Sequence, residues 1–151
     1  MVKEDFSKLD QRTKNMLLGA RGEMWAKEEL EKKYPRDKYL VLYMHASCEM
    51  DFFVINLENE EVICIYEVKT TTTDDKKFSA GSDIQTAVCQ IQKNKKKGSK
   101  KYIPYFLYVI RVNKDSWNTG EFKVINEEIY NIDEFEPIRN ENFIGWKIIK
   151  D

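Results

Sequence analysis

Glycine and proline are scarce in this 151-residue chain, with six and three copies, which leaves no room for a flexible linker and excludes collagen-like or low-complexity architectures. Cysteine is as thin: Cys48, Cys64 and Cys89 cannot all pair within one chain. That argues against a disulfide scaffold and predicts a reducing, cytoplasmic location. The longest apolar runs, such as VICIY at 62–66, fall far short of a membrane span. The opening MVKEDFSKLDQR has no apolar stretch behind its charges, so neither a secretory leader nor a membrane partner is expected. The single histidine, His45, stands near Cys48, but no second pair follows at zinc-ligand spacing. Both are placed in a loop between strands.

What the chain has in quantity is charge, at 34% of residues, together with 42% hydrophobic and 13% aromatic residues. Such a composition fits one domain over 1–151 with a real core. Net charge is −1, yet the distribution is uneven. The run 93–101, KNKKKGSKK, carries Lys93, Lys95, Lys96, Lys97, Lys100 and Lys101 and no acid, leaving 19 basic against 26 acidic residues elsewhere. These lysines fit a solvated helix end closed by Gly98, or a surface for a phosphate backbone.

The segment 12–34 reads as one amphipathic helix, closed by Pro35, with Met16, Leu17, Ala20, Met24, Leu30 and Tyr34 on its apolar arc and Glu23 and Lys27 inside that arc. Three strands follow at 39–44, 50–57 and 61–69, the last two joined as a hairpin by the polar turn 58–60. Ser82 and Gln85 match a capping box opening a second helix, with Ile84, Ala87, Val88 and Ile91 as its stripe. A long strand comes next at 102–112, and EFKVI and FIGWKII suggest further short strands around a polar, possibly helical segment. Strands apolar on both faces need cover on both sides, so the expected fold is an α/β sandwich, a mixed sheet flanked by helices. Its core spans about 12–112, with 113–151 as a C-terminal elaboration.

The hairpin register carries the chemistry. With the turn centred on Asn59, Asp51 lies opposite Glu67, and Lys69 follows on the same face because side chains alternate with period two. Phe53, Ile55, Ile63 and Ile65 are expected to fill the rest of that face, so these charges sit at the end of an apolar surface. The (D/E)xK pattern alone says little: five occur, against about three to four from random placement in this composition. Glu67-Val68-Lys69 differs from the others by ending a continuous apolar strand that has an Asp at the matching end of its neighbour. Two close carboxylates there repel unless a cation neutralises them, and oxygen ligands suit a hard divalent ion such as Mg2+ or Mn2+.

Asp51, then Glu67-Val68-Lys69, behind a helix bearing Glu23 and before a helix and strand, resembles the PD-(D/E)xK phosphodiesterases of restriction enzymes and Holliday-junction resolvases. More narrowly, GARGEMWAKEEL, MDFFVI, YEVKTTT and FSAGSDIQTA resemble the domain at the C-terminus of the plant protein No Vein, over about 19–112. The resemblance implies a restriction-endonuclease-like αβββαβ core and a metal-dependent endonuclease acting on DNA. It implies that Asp51, Glu67 and the Val68 carbonyl ligate one or two Mg2+ or Mn2+ ions, and that Glu23 adds an acid from the first helix. Lys69 would orient or deprotonate the attacking water and stabilise charge on the phosphate. Asp83, Gln85 or Gln90 could join from the second helix, and Met50 stands where the family usually has Pro. The resemblance further implies a homodimer, so that both strands are cut, or a partner subunit of a repair or defence complex that supplies specificity. The rival functions are a non-catalytic nucleic-acid-binding module using the lysine run, and a structural protein whose acid cluster is an ion pair. Cys64 and Cys89 read as core residues, and Trp117 and Trp146 as packing for the tail.

Overall fold

The computed structural model describes residues 3–44, 51–80 and 83–151. The candidate zinc pair His45 and Cys48, the residue Met50 and the cap residue Ser82 lie outside these residues, as does the Asp83 side chain. A five-residue helix α1, Lys3–Ser7, precedes the long helix α2, Gln11–Lys33. Asp10 starts α2 by accepting the Thr13 amide at 2.7 Å, a side-chain cap for an otherwise orphan N–H. Strands β1, Tyr39–Tyr43, β2, Phe52–Asn56, and β3, Glu61–Thr71, form an antiparallel meander. After the short β4, Lys77–Ser79, helix α3, Asp83–Lys97, returns the chain to β5, Tyr105–Val112, which runs parallel to β3. A one-turn helix α4, Lys114–Asn118, leads to β6, Val124–Tyr130, antiparallel to β5; β7, Phe135–Arg139, and β8, Ile144–Ile148, complete the fold.

The central sheet is mixed, in the order β1-β2-β3-β5-β6. A second, three-stranded sheet has the order β4-β8-β7. One face of the central sheet packs Val54, Cys64, Tyr66, Val68, Tyr108 and Ile110 against Leu18, Ala26 and Leu30 of α2. The other packs Ile65, Leu107 and Val109 against Cys89 of α3 and against Phe78, Phe135, Trp146 and Ile148 of the small sheet. The expected helix cover is therefore shared on this side with a sheet. No described helix is long and apolar enough to cross a membrane.

Four expectations are corrected. Met16 and Met24 are exposed, and α2 buries Leu18, Gly22, Ala26 and Leu30 instead. Likewise Ile84 and Ile91 are exposed, while Thr86, Cys89 and Gln92 face inward from α3. In α2 the steric reason is local: at Gly22 the helix lies so close to β3 that a Cβ would strike Thr70; α3 packs mainly on β7 and β8. A register shift between Val54 and Ile55 inserts Ile63 as an extra residue on β3, turning it to the α2 face, away from Ile65. Finally, the polar stretch after EFKVI is an edge strand rather than a helix. Its polar residues stay partly in solvent and pair with β5.

Candidate metal centre

β3 outlasts β2. Their ladder ends at Phe52 and Tyr66, while β3 continues beside β5 to Thr71. Asp51 and Glu67 are the next residues in register, an alignment that the extra residue Ile63 restores, because the turn itself is centred between Glu58 and Asn59 rather than on Asn59. The Val68 amide donates to Asp51 Oδ2 at 2.7 Å. A strand residue's C=O lies on the same edge as its N–H, so the Val68 carbonyl faces the gap that β2 vacates.

Glu67 points to the α3 side and is 1% exposed. Its Oε1 lies 3.4 Å from Lys69 Nζ, while Oε2 is buried without a hydrogen-bond partner among the described residues. Lys69 is tethered from beyond: its ammonium donates to the Ser79 carbonyl at 2.7 Å, so β4 fixes its position. Burial, and after it the nearby Asp51 carboxylate, push Glu67 up to about 8, against a smaller opposing pull from Lys69. Burial also pushes Asp51 up, to about 6; the Val68 amide pulls it down, and Glu23 adds to the rise.

Glu23 comes from α2, on the opposite face. Its neighbour Gly22 explains how it arrives: a Cβ at Gly22 would lie 1.7 Å from Thr70 Oγ1, so only glycine lets α2 settle onto β3 here. Glu23 thereby faces Asp51, and its Oε2 accepts the Tyr43 hydroxyl. Burial, then the bond to Glu23, raise the Tyr43 phenol above its ordinary range.

The structure thus brings Asp51, Glu67, Val68, Lys69 and Glu23 to one place. Among the described residues no three His, Cys, Asp or Glu side chains form a preformed ligand group, and Tyr43 explains why Glu23 is held back. Two carboxylates and one carbonyl remain, a set suited to a hexacoordinate ion that keeps several waters. The orphaned Glu67 Oε2 has the character of an unused ligand, since a buried carboxylate oxygen without a partner is costly.

The second-helix candidates are not gathered as firmly. Gln90 is engaged with Asn94 at 2.9 Å along α3 and lines a cavity with Pro137 and Arg139. Gln85 sits part-buried in the first turn of α3. The lysine run lies at the other end of that helix, beside Glu61 and Val62 at the start of β3. Lys95 and Lys101 are the members beside Glu61, and the six residue steps of β3 from Glu61 to Glu67 set them about 20 Å from that carboxylate, while Lys93 lies one helical turn from Cys89, which Glu67 also influences. Two of its lysines serve the fold: Lys93 donates to the Phe135 carbonyl at 2.8 Å, and Lys96 pairs with Asp133. Lys95, Lys97, Lys100 and Lys101 are exposed. Trp117 packs on Phe6, and Trp146 on Tyr105 and Phe135.

Sequence reasoning missed Tyr43, Gly22 and the Ser79 carbonyl. Gly22 beside Glu23 is a readable signal, a glycine inside a helix next to the candidate acid. A carbonyl acceptor leaves no signature in the sequence. The chain matches no family model, no curated protein and no solved structure. The functional reading therefore rests on the residues and geometry described above.

Proposed function

We propose that the protein is a divalent-metal-dependent nuclease of the PD-(D/E)xK type, hydrolysing DNA phosphodiesters by in-line attack of water. The observation that carries this reading is the buried, unpartnered Glu67 Oε2, in register with Asp51 and two residues from Lys69. A structural ion pair would have no reason to strand that oxygen. Asp51, Glu67 and the Val68 carbonyl would hold Mg2+ or Mn2+, which supplies Lewis acidity toward a phosphodiester and lowers the pKa of water. Lys69, held by Ser79, orients the attacking water and balances charge on the phosphate. Glu23 tunes Asp51 from the helix side. A second copy of the chain, or a partner subunit, would extend the action to both strands in a cytoplasmic setting.

A binding-only module is the second reading, favoured by the exposed Lys95, Lys97, Lys100 and Lys101 far from the carboxylates. Plasmid and single-stranded DNA incubated with Mg2+, Mn2+ or a chelator separate the two. Metal-dependent cutting that Lys69→Ala reduces by about two to four orders of magnitude supports the nuclease. Retarded but uncut DNA with either metal refutes it.

A further inference from the structure

Beside the carboxylates, between α2 and the ends of β1 and β2, lies a cleft of about 290 Å3 lined by Ala20, Glu23, Met24, Lys27, Tyr43 and Phe52. Its walls are mostly apolar. Phe52 is buried and forms the floor, while Met24 and Tyr43 are exposed by 57% and 37%. Met24 is one of the two exposed methionines that the helix arc assigned to the core. Tyr43 packs on Phe52, with ring centroids 5.1 Å apart, and together with Met24 it flanks one opening.

We infer that this cleft receives an unstacked nucleobase of the strand being cut, so that the preferred substrate is single-stranded or locally unpaired nucleic acid. The inference rests on the nuclease reading for its ligand. Three observations select a base over other occupants. The cleft adjoins the candidate metal centre at Glu23, which is one of its lining residues and also acts on Asp51. A base in the cleft would therefore belong to the same stretch of strand as a phosphate at Asp51 and Glu67. Next, the Tyr43 ring and the Met24 thioether offer a flat face and a polarizable one. A planar base gains most from such a pair, and every base has a π-face. Charge orients it: the half-buried Glu23 carboxylate repels a phosphate and accepts the amino groups of a base, while the exposed Lys27 in the same lining can meet the neighbouring phosphate. Because the Tyr43 hydroxyl is committed to Glu23, its ring is held in place before anything binds.

Paired bases inside a duplex are stacked and cannot reach this cleft without being extruded, which costs unstacking and unpairing energy. Hence the preference for unpaired strands.

The test uses the whole protein and a single-stranded oligodeoxynucleotide about twenty nucleotides long carrying 2-aminopurine, with site size as the guide to length. The same strand with abasic positions, and the same strand in a perfect duplex, are the comparisons. Binding is read in chelator, without cutting, and cleavage is read in Mn2+. The wild type should quench 2-aminopurine on binding and prefer the base-containing strand over the abasic one by about tenfold. Met24→Ala, at an exposed position that leaves the core intact, should remove most of that preference without weakening binding to the abasic strand. Equal affinity for base-containing and abasic strands, a preference for perfect duplex, or no binding at all would overturn the inference. Base-dependent binding without metal-dependent cutting upholds the cleft and refutes the nuclease. Cutting that ignores whether the base is present does the reverse.

Discussion

Two clusters of buried charge lie at neighbouring strand ends, and they are built in opposite ways. Around Arg111, on β5, every group has a partner. The guanidinium meets Glu128 with Nε–Oε2 at 2.5 Å and donates to the carbonyls of Thr73 at 2.8 Å and Asp75 at 3.1 Å. Glu128 also accepts the Tyr130 hydroxyl. Burial alone would push Glu128 up, but the bonds from Arg111 and Tyr130 outweigh it and hold the carboxyl below its ordinary value. Around Glu67 the balance reverses: burial and Asp51 win over Lys69, and one oxygen has no partner. The first cluster is what a structural ion pair looks like in this fold, pinning the loop between β3 and β4. The second departs from that pattern in the direction expected of a site awaiting a cation.

That contrast breaks most sharply under pH. Glu67 and Asp51 are raised in the folded chain, so their protonated forms are favoured there. Their stabilising contribution is complete below the ordinary carboxylate range and is lost as pH rises through about 6 and then about 8. In chelator, the stability difference between Glu67→Gln and the wild type should grow by an amount on the order of 3 kcal/mol between pH 4.5 and 8.5. Thermal or urea unfolding measures it. Mn2+ should raise wild-type stability at the alkaline end and leave the Glu67→Gln variant nearly unchanged. Parallel curves for the two proteins would mean that Glu67 is as well compensated as Glu128.

Arg111→Ala probes the paired cluster. Removing the guanidinium leaves Glu128 part-buried and two loop carbonyls without their donor. The expected cost is about 3 kcal/mol, at the lower end for a broken buried pair because Glu128 keeps some solvent. Urea denaturation should show it, with no dependence on added metal. A metal-sensitive loss would place Arg111 in the other cluster.

The same two regions show what a sequence can and cannot disclose. Asp51 faces Glu67 as expected only because two offsets cancel: beside the turn Asn56 pairs with Glu61 and Ile55 with Val62, which centres it between Glu58 and Asn59 and alone would set Asp51 opposite Tyr66, and the extra residue Ile63 shifts the ladder by one. Lys69 followed from period two. By contrast, Arg111 carried no signal, since its partners lie on a loop and on an edge strand whose polar letters read as helix. The strands β4 and β7 escaped because three residues are too few for a pattern, and because Pro137 argues against a strand except at an edge, which is where β7 lies. The helix faces were misjudged for a steric reason. Hydropathy points large residues inward, but α2 lies so close to β3 that Gly22, beside Ala26, takes such a place.

That close approach yields the smallest and cleanest effect, a sign difference between two glycines on one helix. An exposed helical glycine replaced by alanine usually gains about 0.5–1 kcal/mol, because the unfolded chain loses freedom and the helix gains propensity. At Gly19 a Cβ meets nothing within 4 Å, so Gly19→Ala should stabilise by that amount. At Gly22 the same methyl would strike Thr70 Oγ1; Gly22→Ala should instead destabilise by about 1–3 kcal/mol as overpacking. It should also lift Glu23 away from Asp51. In the double variant Gly22→Ala, Thr70→Ala, removal of the Thr70 hydroxyl and methyl should restore most of the loss in unfolding experiments. If both glycine variants gained stability, α2 would not rest on β3 at this point, and the route by which Glu23 reaches the carboxylates would have to be a different one.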